Sequence, residues 1–287
     1  MVSLIALSSK DYENSEKNYG DCFIIHKGDN VIIYDCGSDK HAERVCEYIE
    51  NQKIKNIDIV LSHNDTDHFS GIKYLIDNVN VRYIYTLLLF KYKKELLKLI
   101  GDDRKTERSL IENIKDYYDN IYKLGDTDTE LRDVITYMKE EIMDGVKIFA
   151  PDKEYTLNAV AKALDSREGN TINNETIVNA VSTQVVINDK VLLCGDSCYD
   201  ALKDNIDKFD YIQLPHHGKK DQGLKIFEAN KKRNHVVYLI SDNTGNTNGG
   251  SDKLDTRGKY VKNTKDGDIE ITNLNEVRTS VGSWGKL

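Results

Sequence analysis

The chain has 287 residues, room for one large domain or two small ones, and 39% of them are apolar, enough for a sizeable core. A charged fraction of 31%, with no run near the roughly 18 apolar residues that span a bilayer, excludes a membrane-spanning helix. The net charge of −8 argues weakly against an obligate nucleic-acid binder, and five cysteines without a C-x2-C pair do not form a disulfide framework.

Met1 to Leu7 carries neither a basic n-region nor a cleavage pattern and reads as a first strand, so a cytoplasmic protein is the expectation. Cys22–Ile25 and Val31–Tyr34 read as strands joined by the turn Lys27-Gly28-Asp29-Asn30, and the second ends in Asp35-Cys36-Gly37-Ser38. Ala42, Val45, Cys46 and Ile49 recur at helical spacing. A strand at 57–61 runs into Ser62-His63-Asn64-Asp65-Thr66-Asp67-His68, after which a helix opens at Gly71 with Ile72, Leu75 and Ile76. Val81 to Leu89 is a further buried run. This strand–helix alternation predicts an α/β layered fold.

From about 88 to 145 the texture changes to Lys, Glu and Tyr, which predicts a helical insertion able to cover a cleft. Leu110, Ile114, Tyr117, Ile121 and Leu124 mark one helix. A capping-box pattern, Thr127-Asp128-Thr129-Glu130, predicts a second with Leu131, Val134, Ile135, Met138 and Ile142. Lys91, Lys93, Lys94 and Lys98 read as a solvated face rather than a phosphate track. Val146–Ala150 returns to strand, and Leu157, Val160, Ala161 and Leu164 mark a short helix. Strands Ile177–Ile187 and Lys190–Cys194 are expected to join at Asn188-Asp189, the second ending in Gly195-Asp196-Ser197. Tyr211–Leu214 leads into Pro215-His216-His217-Gly218, and His235–Ile240 into Ser241-Asp242-Asn243. The tail after Thr244 offers short strands near Lys259–Val261 and Asp268–Ile271. There is no internal repeat, and the expectation is a single domain over 1–287.

Residue types that bind metals recur at strand C-terminal ends: Asp35, the His63 turn, Asp196 and the His216 turn. Four of the seven histidines fall in two of these turns, and two histidines with two carboxylates lie within six residues. A hydrated surface turn is the plainer reading, but unpaired His and Asp rarely pack this densely after a buried strand. Cys22, Cys36 and Cys194 read as small buried hydrophobes, and Cys198 as ordinary packing near Asp196. His26, His41 and His235 lie outside the motifs and receive no role.

Taken together these motifs resemble the metallo-β-lactamase fold superfamily. The His-x-Asp-x-Asp-His form, with Asp65 where many members have a second His, is similar to the branch typified by the metallo-β-lactamase domain of the DNA-uptake protein ComEC. That branch also shows Gly20-Asp21, Asp35-x-Gly37, Asn179-x-x-Ser182, Leu192-Leu193-Cys194-Gly195-Asp196 and His216-His217-Gly218, here in family order across residues 20 to 218. Two departures bear on substrate contacts. Lys219-Lys220 stand where the branch usually has Ser, and Asn243-Thr244-Gly245-Asn246 lacks the usual His or Pro.

The resemblance implies a four-layer αββα sandwich holding two divalent ions, Zn²⁺ or Mn²⁺. It implies His63 and Asp65 on the first ion, Asp67, His68 and His216 on the second, and Asp196 between them. Asp35 would orient a ligand imidazole, with Asn179 and Ser182 on the strand where other members carry the middle His. Asp67 would also accept a proton from water, and His217 and Lys219 would steady charge or protonate a leaving group. The leading expectation is a phosphodiesterase or nuclease acting on nucleic acid or a nucleotide. Lysines at 91–105, 219–220 and 231–233 are the positions offered to phosphate. The alternatives are a β-lactam or lactone hydrolase and a non-catalytic binding or effector protein of the same fold. A protein partner is not legible.

Overall fold

The computed structural model describes residues 2–102, 104–165, 171–172, 174–245, 250–272 and 274. In chain order its strands are β1 (Ser3–Ala6), β2 (Cys22–Lys27), β3 (Asn30–Cys36), β4 (Ile57–Val60), β5 (Val81–Thr86), β6 (Glu130–Asp133), β7 (Glu141–Met143) and β8 (Val146–Ala150). There follow β9 (Thr171–Ile172), β10 (Glu175–Thr176), β11 (Gln184–Ile187), β12 (Val191–Leu193), β13 (Tyr211–Gln213), β14 (Val237–Ile240), β15 (Tyr260–Asn263) and β16 (Ile269–Ile271). They build two seven-stranded sheets, ordered β16-β1-β2-β3-β4-β5-β6 and β15-β14-β13-β12-β11-β8-β7, with β9 and β10 as a separate hairpin. In each sheet antiparallel pairing gives way to parallel pairing part-way across, beyond β3 in the first and beyond β12 in the second. Crevices at the carboxyl ends of strands open at such switch points.

The side-chain period of two sorts the second sheet into faces. Val185, Ile187, Val191, Leu193 and Leu239 join the large core shared with the first sheet. Val186, Leu192, Ile212, Tyr238 and Ile240 point the other way and pack with Ile226 and Phe227 of the helix Lys220–Ala229. On the first sheet the helix Asp39–Asn51 buries Ala42, Val45 and Ile49 and packs beside the helix Ile72–Asn78. The result is a mixed α/β architecture of two sheets flanked by helices, as the alternation of elements predicts.

Two expectations change. The helix predicted from the capping box at 127–130 is not formed: Glu130–Asp133 adds β6 to the first sheet and Glu141–Met143 adds β7 to the second. Pairing to Tyr83–Thr86 outweighs the local helical pattern, because isolated helices of this length are marginal in water. The long strand expected from Ile177 begins instead as a helical turn, Ile177–Ala180, capped by the Thr176 hydroxyl, and β11 starts only at Gln184. The helices Lys93–Ile100, Glu107–Lys123 and Lys153–Leu164 do form. The second departs from helical geometry at Tyr118, and nearby Asn120 exchanges amide hydrogen bonds with Asn64 of the His/Asp turn. Lys91, Lys93 and Lys105 are tied to Asp133, Glu107 and Leu164 O. The five cysteines are free thiols, with Cys198 buried against the Tyr155 hydroxyl at 3.2 Å. Among the described residues no helix is long and apolar enough to cross a membrane. Of the tail beyond Thr244, residues 246–249 and most beyond 272 lie outside the described set.

The sheets are stitched at the site end by two buried bonds. Thr183 N donates to Ser62 O (2.8 Å), and the fully buried Tyr34 hydroxyl donates to Thr183 O (2.7 Å). Tyr34→Phe leaves that carbonyl without its donor and is expected to cost about 1–3 kcal/mol. An unchanged denaturant midpoint would show that the stitch contributes nothing.

Candidate functional site

The site lies where β3, β4, β12, β13 and β14 end. Three of these strands, β3, β12 and β13, turn there through left-handed backbone at Asp35 (φ 59°), Gly195 (φ 53°), His216 (φ 53°) and His217 (φ 55°). Such positions persist only where surrounding contacts over-determine them, and they concentrate at functional sites. A second device fixes Asp67. Asp21 N donates to Asp67 O (2.9 Å) and Gly37 N to Asp21 O (2.8 Å). A Cβ at Gly20 would lie 1.7 Å from that Asp67 oxygen, and one at Gly37 2.0 Å from it. Both glycines are there so that the backbone can close on Asp67.

Four histidines converge. His68 Nδ1 donates to Asp35 Oδ2 (2.8 Å), His216 Nδ1 to Glu175 Oε2 (2.6 Å), and His217 Nδ1 to Asp21 Oδ1 (3.1 Å) and Ser241 O (2.9 Å). His63 Nδ1 is held by the hydroxyls of Ser62 (2.9 Å) and Ser182 (3.3 Å). In every case Nδ1 is engaged from behind, which leaves Nε2 to face the centre. Asp196 sits among them. Its Oδ1 is 3.2 Å from His68 Nε2, and its Oδ2 is 3.9 Å from His63 Nε2 and 3.8 Å from His216 Nε2. Asp65 lies 3.6 Å from His63 Nε2, and Asp67 Oδ2 lies 3.1 Å from His217 Nε2.

The sequence-predicted residues His63, Asp65, Asp67, His68, Asp196, His216 and His217 are thus brought together, with one rearrangement. His217, stacked on His68 at 5.4 Å, is the histidine beside Asp67, whereas His216 faces the Asp196 oxygen that His63 also faces. Asp35 also accepts from Ser62 N and Oγ, both at 2.7 Å. Asn179 Nδ2 reaches Asp196 at 3.5 Å, and Ser182 Oγ accepts from Asp196 N. Lys219 is held by Glu175, 2.8 Å from Nζ, and donates to Asn174 O. Four supporting residues escaped sequence reasoning: Glu175, Asn18, whose amide donates to Asp67 Oδ2 (2.8 Å), Gln213 and Ser241, which both donate to Asp21 Oδ2. Asp21 was legible as a motif, but not as the support of His217. His26 and His235 serve elsewhere, pairing with Tyr48 and Asp210. Burial pushes His41 down to about 4, so its neutral ring accepts from Tyr12 and donates to Gly20 O.

Burial opposes charge throughout the cluster, yet the pairs outweigh it. Asp196 and Asp35 hold His68 well above the usual histidine range, and Asp21, Asp196 and Asp67 do the same for His217. The hydrogen bond from His217 and the charge of His68 hold Asp67 well below the usual carboxylate range. His68, His217 and His216 do so for Asp196. The test for metal ligation is direct: buried His63 Nε2, His68 Nε2 and Asp196 Oδ1 form no hydrogen bond, the last two facing each other at 3.2 Å outside hydrogen-bond geometry. Buried polar atoms are almost always paired, and three such atoms converging from the turns after β4 and β12 fit a cation. His63, His68 and Asp196 present ligand atoms within 4.8 Å of one another. A cavity of about 710 Å³ opens over Asp65, Asp67, Asp196, His216 and His217.

Residues 16–141 match the family model of the Metallo-beta-lactamase superfamily. The two flanked sheets agree with the metallo-β-lactamase fold, and the matched segment contains the His63–His68 turn and Asp35. Several solved structures are similar to the chain. The metallo-β-lactamase fold protein YhfI from Bacillus subtilis is 14% identical, with 94% of this chain and 99% of that one covered and a TM-score of 0.49. The short form of human tRNase Z is 11% identical, with 83% and 92% covered and a TM-score of 0.38. A putative metallo-β-lactamase from Thermotoga maritima is 15% identical, with 68% and 78% covered and a TM-score of 0.34. No curated protein matches the chain.

Two predictions follow from the cluster's charges. In chelator-treated protein, the raised histidines stabilise fully below their unfolded value of 6.5 and lose this as pH rises through the folded values. The depressed carboxylates stabilise above their unfolded value of 3.8 and lose this only as pH falls. The melting temperature should therefore decline as pH rises above about 6.5. The increment added by Zn²⁺ should grow over the same range, since ligands must shed protons. A chelated protein that grows more stable toward alkaline pH would contradict the assigned pairs. Separately, Glu175→Gln should weaken metal binding about 10–100-fold, read by competition with a chromophoric chelator. Wild-type affinity in that variant would reduce Glu175 to packing.

Proposed function

We propose that the chain is a metal-dependent hydrolase that cleaves phosphodiesters of nucleic acid or nucleotides with two divalent ions, Zn²⁺ or Mn²⁺. The observation that carries this reading is the set of buried, unpartnered His63 Nε2, His68 Nε2 and Asp196 Oδ1 beneath an open cavity. The matched superfamily consists mostly of metallo-hydrolases, nucleases among them. The Asp65-for-His form of the turn supports the ComEC-like branch, and carboxylate in place of imidazole makes that position harder and more hospitable to Mn²⁺.

We assign His63, Asp65 and His216 to one ion and Asp67, His68 and His217 to the other, with Asp196 between. The doubled histidine of Pro215-His216-His217-Gly218 would thus serve both positions, and His216 would offset the imidazole that the turn lacks. Bound ions at such a centre supply Lewis acidity toward the electrophile and acidify a water nucleophile. The chain's own part is to hold these groups rigid. Asn18 holds the Asp67 carboxylate so that its free lone pairs can take a proton from the attacking water. Glu175 holds Lys219 on the cavity wall, where its ammonium offers positive charge to phosphoryl oxygens.

The test is hydrolysis of bis(p-nitrophenyl) phosphate and of single-stranded DNA by purified protein with Zn²⁺ or Mn²⁺. Cleavage that requires metal and falls at least about a hundredfold in Asp67→Ala is expected. Two bound ions without any phosphodiester cleavage would redirect the reading to lactone or β-lactam hydrolysis. Protein that binds no metal would leave a non-catalytic effector of this fold.

A further inference from the structure

The cavity has a second wall that the chemistry above does not use. Lys220, Asp221 and Leu224 come from the helix Lys220–Ala229, and Gly250 and Lys253 from the segment ahead of β15. Lys220 and Leu224 are one helical turn apart and share a face. Leu224 is 42% exposed, an unusual position for a large aliphatic residue beside a polar cavity. Lys219 is committed to Glu175, and Asp221 accepts from the amides of Asn174 and Gln222. Lys220 and Lys253 are exposed, and among the described residues neither has a carboxylate partner.

We infer that this wall is a subsite for a second phosphate, one nucleotide away from the scissile diester, held by Lys220 and Lys253 with the intervening base lying on Leu224. The inference rests on the phosphodiesterase reading and narrows its substrate to short strands that carry a phosphate beyond the bond cleaved. Lysine is a point charge with three rotatable donors, suited to a phosphate that must be gripped without a fixed geometry. An exposed leucine lining the same cavity as two such charges matches a ligand with one anionic group and one flat apolar face. A cavity of about 710 Å³ is of the size that encloses small ligands rather than a duplex. The overall charge of −8 disfavours a long basic track, so recognition is confined to this one flanking position.

The experiment separates binding from turnover. Dinucleotides whose internal link is a neutral methylphosphonate, with and without a terminal phosphate at the 5′ or 3′ end, are titrated onto the metal-loaded protein at several salt concentrations. One phosphorylated form should bind about tenfold or more tightly than the unphosphorylated one, and that advantage should shrink as the salt concentration rises. Lys220→Ala with Lys253→Ala should abolish that preference, and Arg at both positions should restore it. The same preference should appear in kcat/KM for the cleavable dinucleotides. Equal binding of phosphorylated and plain dinucleotides, or a preference indifferent to both lysines, would overturn the subsite even if the diester is cleaved. Lysine-dependent binding without cleavage would uphold the subsite and remove the hydrolase reading.

Discussion

Asp35 is the residue on which the rest of the site depends. Held in left-handed backbone at the end of β3, its fully buried carboxylate accepts from Ser62 N, Ser62 Oγ and His68 Nδ1. An isolated buried carboxylate is expensive, and here three donors meet that cost while fixing the turn that follows β4. The same logic recurs with Glu175 behind His216 and Asp21 behind His217, each carboxylate buried and each aimed at an Nδ1. The inner histidines are therefore oriented from outside the centre. Their Nε2 atoms converge without needing contacts to one another.

The second constraint is backbone packing around Asp67. Gly20, Asp21 and Gly37 close on its carbonyl, while Asn18 and His217 hold its carboxylate. Two loops far apart in sequence thus grip both ends of one residue. That explains why glycine and aspartate are required together on either side of the β2–β3 hairpin. It also ties the site to the core, because β2 and β3 are among the most buried strands of the first sheet.

A cavity with carboxylates and imidazoles on its floor and lysines on its wall changes character with its occupant. Two divalent ions, as proposed, would neutralise Asp65, Asp67 and Asp196, leaving the lysines to dominate and the cavity to favour an anion. Under that proposal, metal and an anionic substrate would bind cooperatively through simple electrostatics. The helix Glu107–Lys123, which contacts Asn64 through Asn120, puts a helical element in register with the ligand turn and gives residues remote from the floor a direct hold on it.

Much of this was legible in the sequence. Period-two and helical patterns placed most strands and helices, and the crowding of His and Asp after an apolar run marked His63, Asp65, Asp67 and His68. Their side chains are local to one turn, so spacing alone implies convergence. Asp35, Asp196 and the His216 turn were visible as polar residues at strand ends. The capping box at 127–130 misled because a local helical signal cannot report a strand partner 47 residues away. Glu175 and Asn18 were invisible for a related reason, since nothing near either residue marks it as special. Their roles arise only when two sheets close and set each beside its partner. Which of two adjacent histidines meets Asp67 was likewise undecidable from the chain. The left-handed backbone at His216 and His217 turns their rings apart, a conformation that runs against the local preference of non-glycine residues and is held by the tertiary structure.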